Sequence, residues 1–366
     1  MLKQLFLFIV FSTLAFSQSI PAPQIAFHPK SYVCYRSGGP ITVDGRINES
    51  AWTKAPWTDD FIDIEGPVKP VPRFRTRAKM LWDSTYFYIA AELREPDIWA
   101  TLKHRDDIIF YDNDFEIFID PDGDTRDYCE FEMNALNTVW DLLLTMPYRD
   151  VENAAKNGWD IKGLKTGTKI YGTLNHPGDR DSCWTVEVAF PWSGFREITS
   201  NATPPLDNDQ WRINFSRVEW KTFVKNGKYQ KQINPATNRP WPEDNWVWSP
   251  QGVVNMHYPE MWGYVQFSTK PVGTTTVAFI NKPEEQAKWM LRQIYYAEKK
   301  YFETNGSYTS NLRALGLEVR AVPEYEAAPM IECTPTMFAA TLQRADRTST
   351  LHIRTDGLTW TTQVKQ

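Results

Sequence analysis

The segment from Asp112 to Asn134 restricts the fold of this chain more than any other, because it reads as two strands joined by an acidic turn. Side chains alternate between the two faces of a strand. On the first strand, Glu116 and Phe118 therefore share one face, while Ile117 and Ile119 share the other. The pattern predicts a sheet with one apolar face that packs on a core and one polar face.

The second strand of this segment repeats the alternation. Its polar residues are Glu130, Glu132 and Asn134, and they alternate with Phe131 and Met133. Carboxylates and amides hydrogen-bond hydroxyl groups, and aromatic rings stack on flat apolar surfaces. The polar face is therefore the part of the chain where we expect a polyhydroxylated ligand to bind.

Short apolar segments separated by turn signals continue through the first two thirds of the chain. Residues 76–82 and 86–93 read as a β-hairpin around Asp83. Amphipathic helix patterns are almost absent before residue 280. The sequence predicts a mainly β fold, an antiparallel β-sandwich of immunoglobulin-like or jelly-roll type, over residues 35–267.

The pattern changes after Phe267. A helix is predicted from Pro283, with a helical apolar stripe and a stop signal at Asn305-Gly306. Short strand patterns joined by turns follow this helix to the end of the chain. We expect a small α+β domain over residues 280–366.

The first 17 residues are typical of a secretory signal peptide, with a basic start, a short apolar run and small residues near the cleavage site. We expect a secreted or periplasmic protein without a membrane span in the mature chain. The net charge of −5, without a basic patch, argues against nucleic acid as a partner.

Four cysteines allow three disulfide pairings in an exported protein. Cys129 and Cys183 fall in predicted core strands and are the preferred pair. The chain has no Cys-x-x-Cys, so neither a zinc ribbon nor a redox motif is indicated.

The acidic turn is a candidate calcium site. Asp120, Asp122, Asp124 and Asp127 supply several carboxylates within eight positions, and calcium takes six to eight oxygen ligands. Aspartate and glycine also dominate ordinary turns, so a turn without an ion is the alternative. No other cofactor is expected.

Several motifs, in this order, resemble those of family 9 carbohydrate-binding modules. They are the segments 41–45 with Glu49 and Trp52, 81–83 with 86–88, 115–120, 248–250 and 257–263. The resemblance covers residues 35–267. It implies a non-catalytic β-sandwich that binds oligosaccharides or polysaccharides and is accessory to polysaccharide-degrading enzymes.

The resemblance also implies site residues. Glu116 matches a binding glutamate and Asn134 a binding asparagine, while Glu132 stands where sugar-binding members carry an arginine. Combined with the polar pattern of residues 211–220, this gives a predicted ligand site. Its members are Glu116, Glu132, Asn134, Asn214, Arg217 and His257, with aromatic walls from Tyr111, Trp220 and Trp248.

Residues 288–360 resemble the soluble heads of pilins and pseudopilins, through the segments 294–301 and 305–308. The apolar N-terminal spine needed for filament assembly is absent from this region, so the resemblance implies a fold only. A scaffold that contacts an envelope protein through the C-terminal domain is the alternative to sugar binding.

Two further alternatives involve chemistry at the same face. Paired carboxylates are also the catalytic groups of glycosidases, although the sequence shows no convincing catalytic constellation. A haem b site with Met133 or Met256 and His257 as ligands would make an electron-transfer domain.

Overall fold

The computed structural model describes residues 20–318 and 320–364. The predicted signal peptide lies outside them. The described helices are α1 (Ser50–Lys54) and α2 (Pro283–Asn305), and three short 3-10 turns occur at Ile109–Tyr111, Trp192–Glu197 and Pro259–Met261. No helix in this part of the chain is both long enough and apolar enough to cross a bilayer.

The strands of the N-terminal unit follow in chain order. They are β1 (Ser31–Arg36), β2 (Ile62–Asp63), β3 (Thr76–Trp82), β4 (Tyr86–Arg94), β5 (Asp114–Asp120), β6 (Tyr128–Asn134), β7 (Val139–Leu144), β8 (Ala155–Lys156), β9 (Lys165–Tyr171), β10 (Cys183–Pro191), β11 (Gln210–Glu219), β12 (Thr222–Lys225), β13 (Lys228–Lys231), β14 (Ile233–Asn234), β15 (Arg239–Pro240), β16 (Asp244–Val247) and β17 (Gly263–Pro271). The C-terminal unit adds β18 (Met330–Cys333), β19 (Phe338–Gln343), β20 (Ser349–Arg354) and β21 (Thr359–Gln363).

Most strands of the N-terminal unit form one continuous sheet in the order β8-β7-β6-β5-β11-β17-β1-β3-β4-β10-β9, and β16 and β2 extend it beside β11. Its pairings are antiparallel except that β1 runs parallel to β17 and β3. The two halves of this sheet pack on one apolar core. Phe131 on β6 meets Phe190 on β10, with ring centroids 5.6 Å apart.

This packing confirms the predicted β-sandwich. The alternation of residues 112–134 explains it, since Ile117, Ile119 and Phe131 enter the core completely. Their polar neighbours on β5 and β6 are thereby directed to the outer face of the sheet. We call this outer face of β5, β6 and β11 the polar face.

The C-terminal unit is an α+β structure, as predicted. Helix α2 packs on an antiparallel sheet in the order β18-β19-β20-β21. The helix begins at Pro283 and ends at Asn305, and Gly306 takes the left-handed conformation at its C-cap (φ 70°). The predicted start and stop signals are therefore confirmed.

The predicted disulfide between Cys129 and Cys183 is wrong. All four cysteines are free, three of them buried. Cys129 lies between β5 and β7, whereas Cys183 lies between β4 and β9. The sequence pattern placed both in strands but could not show that those strands belong to opposite halves of the sheet.

Candidate ligand pocket

A hollow of about 290 Å³ opens on the polar face. Glu116, Glu130 and Glu132 line it from the two floor strands, and His257 lines it from the loop before β17. The structure thus brings three predicted site residues together: Glu116, Glu132 and His257. Glu130 is a fourth member, which the sequence placed on the same face but not in the site.

Strand register explains why these acids meet. In the antiparallel pair of β5 and β6, Glu116 lies opposite Glu132, and Phe118 lies opposite Glu130. On the next strand, Trp140 lies opposite Glu132. Directly opposed side chains on one face of a sheet are about 5 Å apart, so the acids and rings form one surface.

Aromatic rings form the walls of the hollow. Phe110, Phe118, Trp140 and Tyr148 all line it. Phe118 is fully buried, while Trp140 and Tyr148 keep exposed surface. The walls therefore combine flat apolar surface with access from solvent, which is the arrangement that stacks on the apolar face of a ring-shaped ligand.

The pocket carboxyls are buried and surrounded by like charges. Burial raises the pKa of Glu116 to about 7. Burial and the Glu116 carboxylate raise the pKa of Glu130 to about 8. The pKa of Glu132 is raised well above its ordinary value by burial and by its acidic neighbours. The floor consequently holds both carboxyl and carboxylate groups near neutral pH, so it can donate and accept hydrogen bonds.

His257 contributes a neutral ring to the pocket. Its Nδ1 lies 3.0 Å from the Tyr128 hydroxyl, and its ring contacts Tyr148 edge to face. Burial, with a smaller contribution from Arg149, lowers the pKa of His257 to about 3. It is therefore uncharged at physiological pH and does not neutralise the acids.

Two predicted amide ligands are wrong, because other parts of the chain already use their side chains. Asn134 is fully buried, donates to Leu102 O and to Asp112, and accepts from the N–H of Thr138. Asn214 is also fully buried, and its amide exchanges two hydrogen bonds with the backbone of Ser249. Both hold loops against the sheet.

Arg217 is a third correction. Its strand has an unbroken register with β5 and β16, so Arg217 points away from the polar face. Its guanidinium is completely buried and donates to Glu95 at 2.7 Å and to Glu219 at 2.8 Å. A residue whose donors are used in this way is not available to a ligand.

None of the three predicted aromatic walls lines the pocket. Trp248 is buried in the sandwich core against Phe215. The Trp220 indole donates to Phe110 O, and Lys231 lies 3.3 Å from its ring centroid. Tyr111 is half exposed and contacts Phe110 from outside the hollow. Phe110, the residue before Tyr111, lines the hollow in its place.

The acidic turn keeps three of its four predicted calcium ligands together. Oxygens of Asp120, Asp122 and Asp124 lie within 4.8 Å of one another, and Asp127 is not part of the group. Both Asp120 oxygens already accept backbone N–H bonds, from Gly123 at 2.9 Å and Thr125 at 3.0 Å. Calcium at this turn stays a prediction.

The haem pair of Met133 and His257 is contradicted by the fold. Met133 is completely buried in the sandwich core. His257 lies across the sheet from it, on the polar face against Phe118 and Tyr128. Side chains on opposite faces of one sheet cannot hold a single planar cofactor between them.

The chain was compared with known families and proteins. Residues 43–219 match the model of a family described as carbohydrate family 9 binding domain-like. No curated protein matches the chain. The comparisons give nothing on a pilin-like C-terminal segment, so that likeness stays a prediction.

Three solved structures are similar at 15% sequence identity. A putative carbohydrate-binding protein from Bacteroides uniformis has a TM-score of 0.49 and covers 66% of this chain and 100% of its own. A family 9 carbohydrate-binding module from Caldicellulosiruptor kristjanssonii, in complex with cellotriose, has a TM-score of 0.42, with coverage of 69% and 100%. Its glucose complex gives 0.41, with 67% and 100%.

The family match includes both floor strands of the pocket. Strands β5 and β6, which carry the three pocket glutamates, lie within residues 43–219. The similarity to the carbohydrate family 9 binding domain-like family therefore covers the strands that carry the pocket glutamates.

Proposed function

We propose that the sandwich is a non-catalytic carbohydrate-binding domain and that the pocket on its polar face is the binding site. The observation that carries this proposal is the joint placement of Glu116, Glu130 and Glu132 between aromatic walls. The region also matches a family of carbohydrate-binding-like domains.

The chemistry of the pocket suits a sugar residue. Buried carboxyl groups that exist in both protonation states near neutral pH can pair with hydroxyl groups, which both donate and accept. Trp140 and Tyr148 supply partly exposed rings for the apolar face of the sugar. The volume of about 290 Å³ is close to the lower limit for small-ligand sites, so we propose that a single sugar unit of a glycan enters it.

Titration calorimetry tests this proposal. The full chain is titrated with a panel that includes glucose, cellotriose and soluble polysaccharides, beside Trp140→Ala and Glu116→Gln. We expect saturable binding that both variants weaken at least tenfold. Tyr171→Ala on β9 and Glu303→Gln on α2 change exposed residues that do not line the hollow, and they serve as matched controls. Equal affinity in all five proteins, or no binding at all, contradicts the proposal.

We propose that binding is not followed by cleavage. The pocket acids form a single cluster on one face, and the family match is to a binding domain. Incubation of the protein with any glycan that binds should release no new reducing ends. Release that Glu116→Gln abolishes would instead make the protein a glycosidase.

The cellular setting is a further part of the proposal. The predicted signal peptide supports export, and a polysaccharide ligand would fit an accessory role in polysaccharide breakdown. N-terminal sequencing of the exported protein tests the cleavage near Ser17. Partner capture with the full chain tests the alternative, in which the C-terminal unit binds an envelope protein.

The turn at Asp120–Asp124 remains our proposed structural calcium site. Its three carboxylates lie close enough to share one ion. We expect calcium to raise the thermal unfolding midpoint of the unmodified chain, and we expect Asp122→Asn to remove this rise. An unchanged response in that variant contradicts it.

A further inference from the structure

A second acidic cluster lies on the floor of the pocket itself. One ligand atom each from Asp114, Glu116 and Glu132 fall within 4.8 Å of one another. Their relative exposures are 0%, 5% and 1%. Acids are almost never this buried without a partner, so each of them must either keep its proton or meet a cation.

The residues that the structure describes supply no such cation. In the described part of the chain, none of these three carboxylates forms an ion pair, and the charged neighbours that act on them are other acids. Backbone N–H groups satisfy one oxygen each of Asp114 and Glu132, from Val218 at 3.2 Å and Phe110 at 3.0 Å.

Several oxygens at this cluster are buried without any hydrogen-bond partner. They are Asp114 Oδ2, Glu116 Oε2 and Ser216 Oγ. Ser216 lies directly opposite Glu116 across β5 and β11. A buried polar atom that lacks a partner is costly, and here three oxygens lack one at the same place. Oxygen-only sets of this kind are the ligands of hard cations.

A neighbouring aspartate shows what a purely structural acid looks like in this fold. Asp112 is also completely buried, but its oxygens accept four hydrogen bonds, from two backbone N–H groups, the Thr101 hydroxyl and the Asn134 amide. It needs no ion. The cluster of Asp114, Glu116 and Glu132 differs from it in having free oxygens.

The ligand set favours calcium over magnesium, because magnesium demands a near-ideal octahedral shell. Calcium accepts irregular shells that combine carboxylates, hydroxyls and water.

We propose that Asp114, Glu116 and Glu132 bind one Ca²⁺ ion on the floor of the pocket, and that sugar hydroxyls complete its coordination. Glu116 and Glu132 line the hollow and Asp114 does not, so an ion held by all three would be open to a ligand on the side of the two glutamates. The ion supplies the positive charge that this acidic pocket lacks. The second half of the proposal rests on the proposed carbohydrate function.

Calcium titration of the chelator-treated full chain tests the first half. The comparison includes Glu132→Gln and Asp114→Asn, which remove one pocket ligand each, and Asp122→Asn, which alters only the turn. We expect each pocket variant to weaken binding at one site at least tenfold, while Asp122→Asn leaves that site unchanged. Circular dichroism verifies folding, and either pocket variant is sufficient if the other fails to fold.

If the pocket variants bind calcium as the unmodified chain does, the cation site is overturned. A wild-type chain that binds no calcium overturns it as well.

Sugar titrations with calcium and with EDTA test the second half. We expect affinity to fall at least tenfold in EDTA, and to be insensitive to calcium in Glu132→Gln. Equal affinity in calcium and EDTA overturns the sugar–ion contact but leaves the proposed function intact. Calcium binding at the pocket without any sugar binding overturns the proposed function and leaves the cation site standing.

Discussion

Buried acids at the two ends of the polar face have opposite kinds of neighbours. At the end covered by α2, Glu260 pairs with Arg149 at 2.9 Å and accepts from the Tyr296 hydroxyl, and Glu285 pairs with Arg212 at 2.8 Å. At the open end, the pocket acids have no arginine or lysine partner among the described residues, and other acids lie beside them. The same sheet thus has ion-paired acids at one end and acids without a cationic partner at the other.

Their pKa values show the same contrast. Although burial acts against ionisation, the arginine and lysine neighbours lower the pKa of Glu260 and of Glu285 to about 2. In the pocket, burial without a cation raises the pKa of Glu116 to about 7. We infer that the covered end stabilises the fold, whereas the open end is kept for a ligand.

The largest expected effect is at the covered end. The Arg149 side chain is only 5% exposed, pairs with Glu260 and lies 4.3 Å from the ring centroid of Tyr258. Arg149→Met leaves Glu260 with a weaker set of partners, and removal of one member of a buried pair costs about 3–5 kcal/mol. Urea unfolding should show this loss. A loss below about 1 kcal/mol would break the contrast between the two ends.

Between pH 4.5 and pH 2, the pH dependence of stability should come from the covered end. The folded pKa values of Glu260 and Glu285 are depressed from 4.5 to about 2. Their contribution is therefore complete above pH 4.5 and is lost as the pH falls toward 2. The free energy of unfolding should fall by a few kcal/mol across this window, as an order of magnitude. Glu260→Gln should flatten the curve, and an unchanged curve would contradict the assignment.

At the open end, Glu116→Gln is the counterpart of Glu260→Gln. Its effect on the free energy of unfolding should be small and opposite in sign. Glu116→Gln removes one of several neighbouring acids that have no cation. In calcium-free buffer at pH 8, it should leave stability unchanged or raise it by about 1 kcal/mol, because repulsion and desolvation decrease. Urea unfolding beside Glu260→Gln checks this. A destabilisation equal to that of Glu260→Gln would mean that both ends are structural.

The smallest effect should come from Tyr111→Ala. This side chain is 51% exposed and lies outside the hollow. We expect the affinity for a bound sugar to change less than about twofold, which is below about 0.5 kcal/mol. Calorimetry with the best ligand of the panel measures it. A tenfold loss would extend the binding surface beyond the pocket to the exposed ring.

Sequence patterns predicted those features of the fold that depend only on residues close together in the chain. Alternation along residues 112–134 was enough to place Glu116 and Glu132 on one face, since the period of a strand does not depend on distant residues. The stop at Asn305-Gly306 is local as well. For the same reason, the sandwich followed from the spacing of strands and turns.

The rest of the site depends on segments far away in sequence. Asn134 was wrongly predicted because residues near Leu102 cover it, and Asn214 because Ser249 does. Arg217 requires the register of β11, which the sequence does not show. Tyr148 reaches the hollow from a loop without any pattern of its own. The alternation of residues along a strand predicts the polar face. It does not predict which part of that face remains open to solvent.

The most direct test of the central claim is a crystal structure of the full chain soaked with its best-binding sugar and calcium. The account predicts a sugar unit between Trp140 and the floor glutamates, with an ion beside Glu132. A sugar bound elsewhere on the chain, while the hollow holds only water, would contradict it.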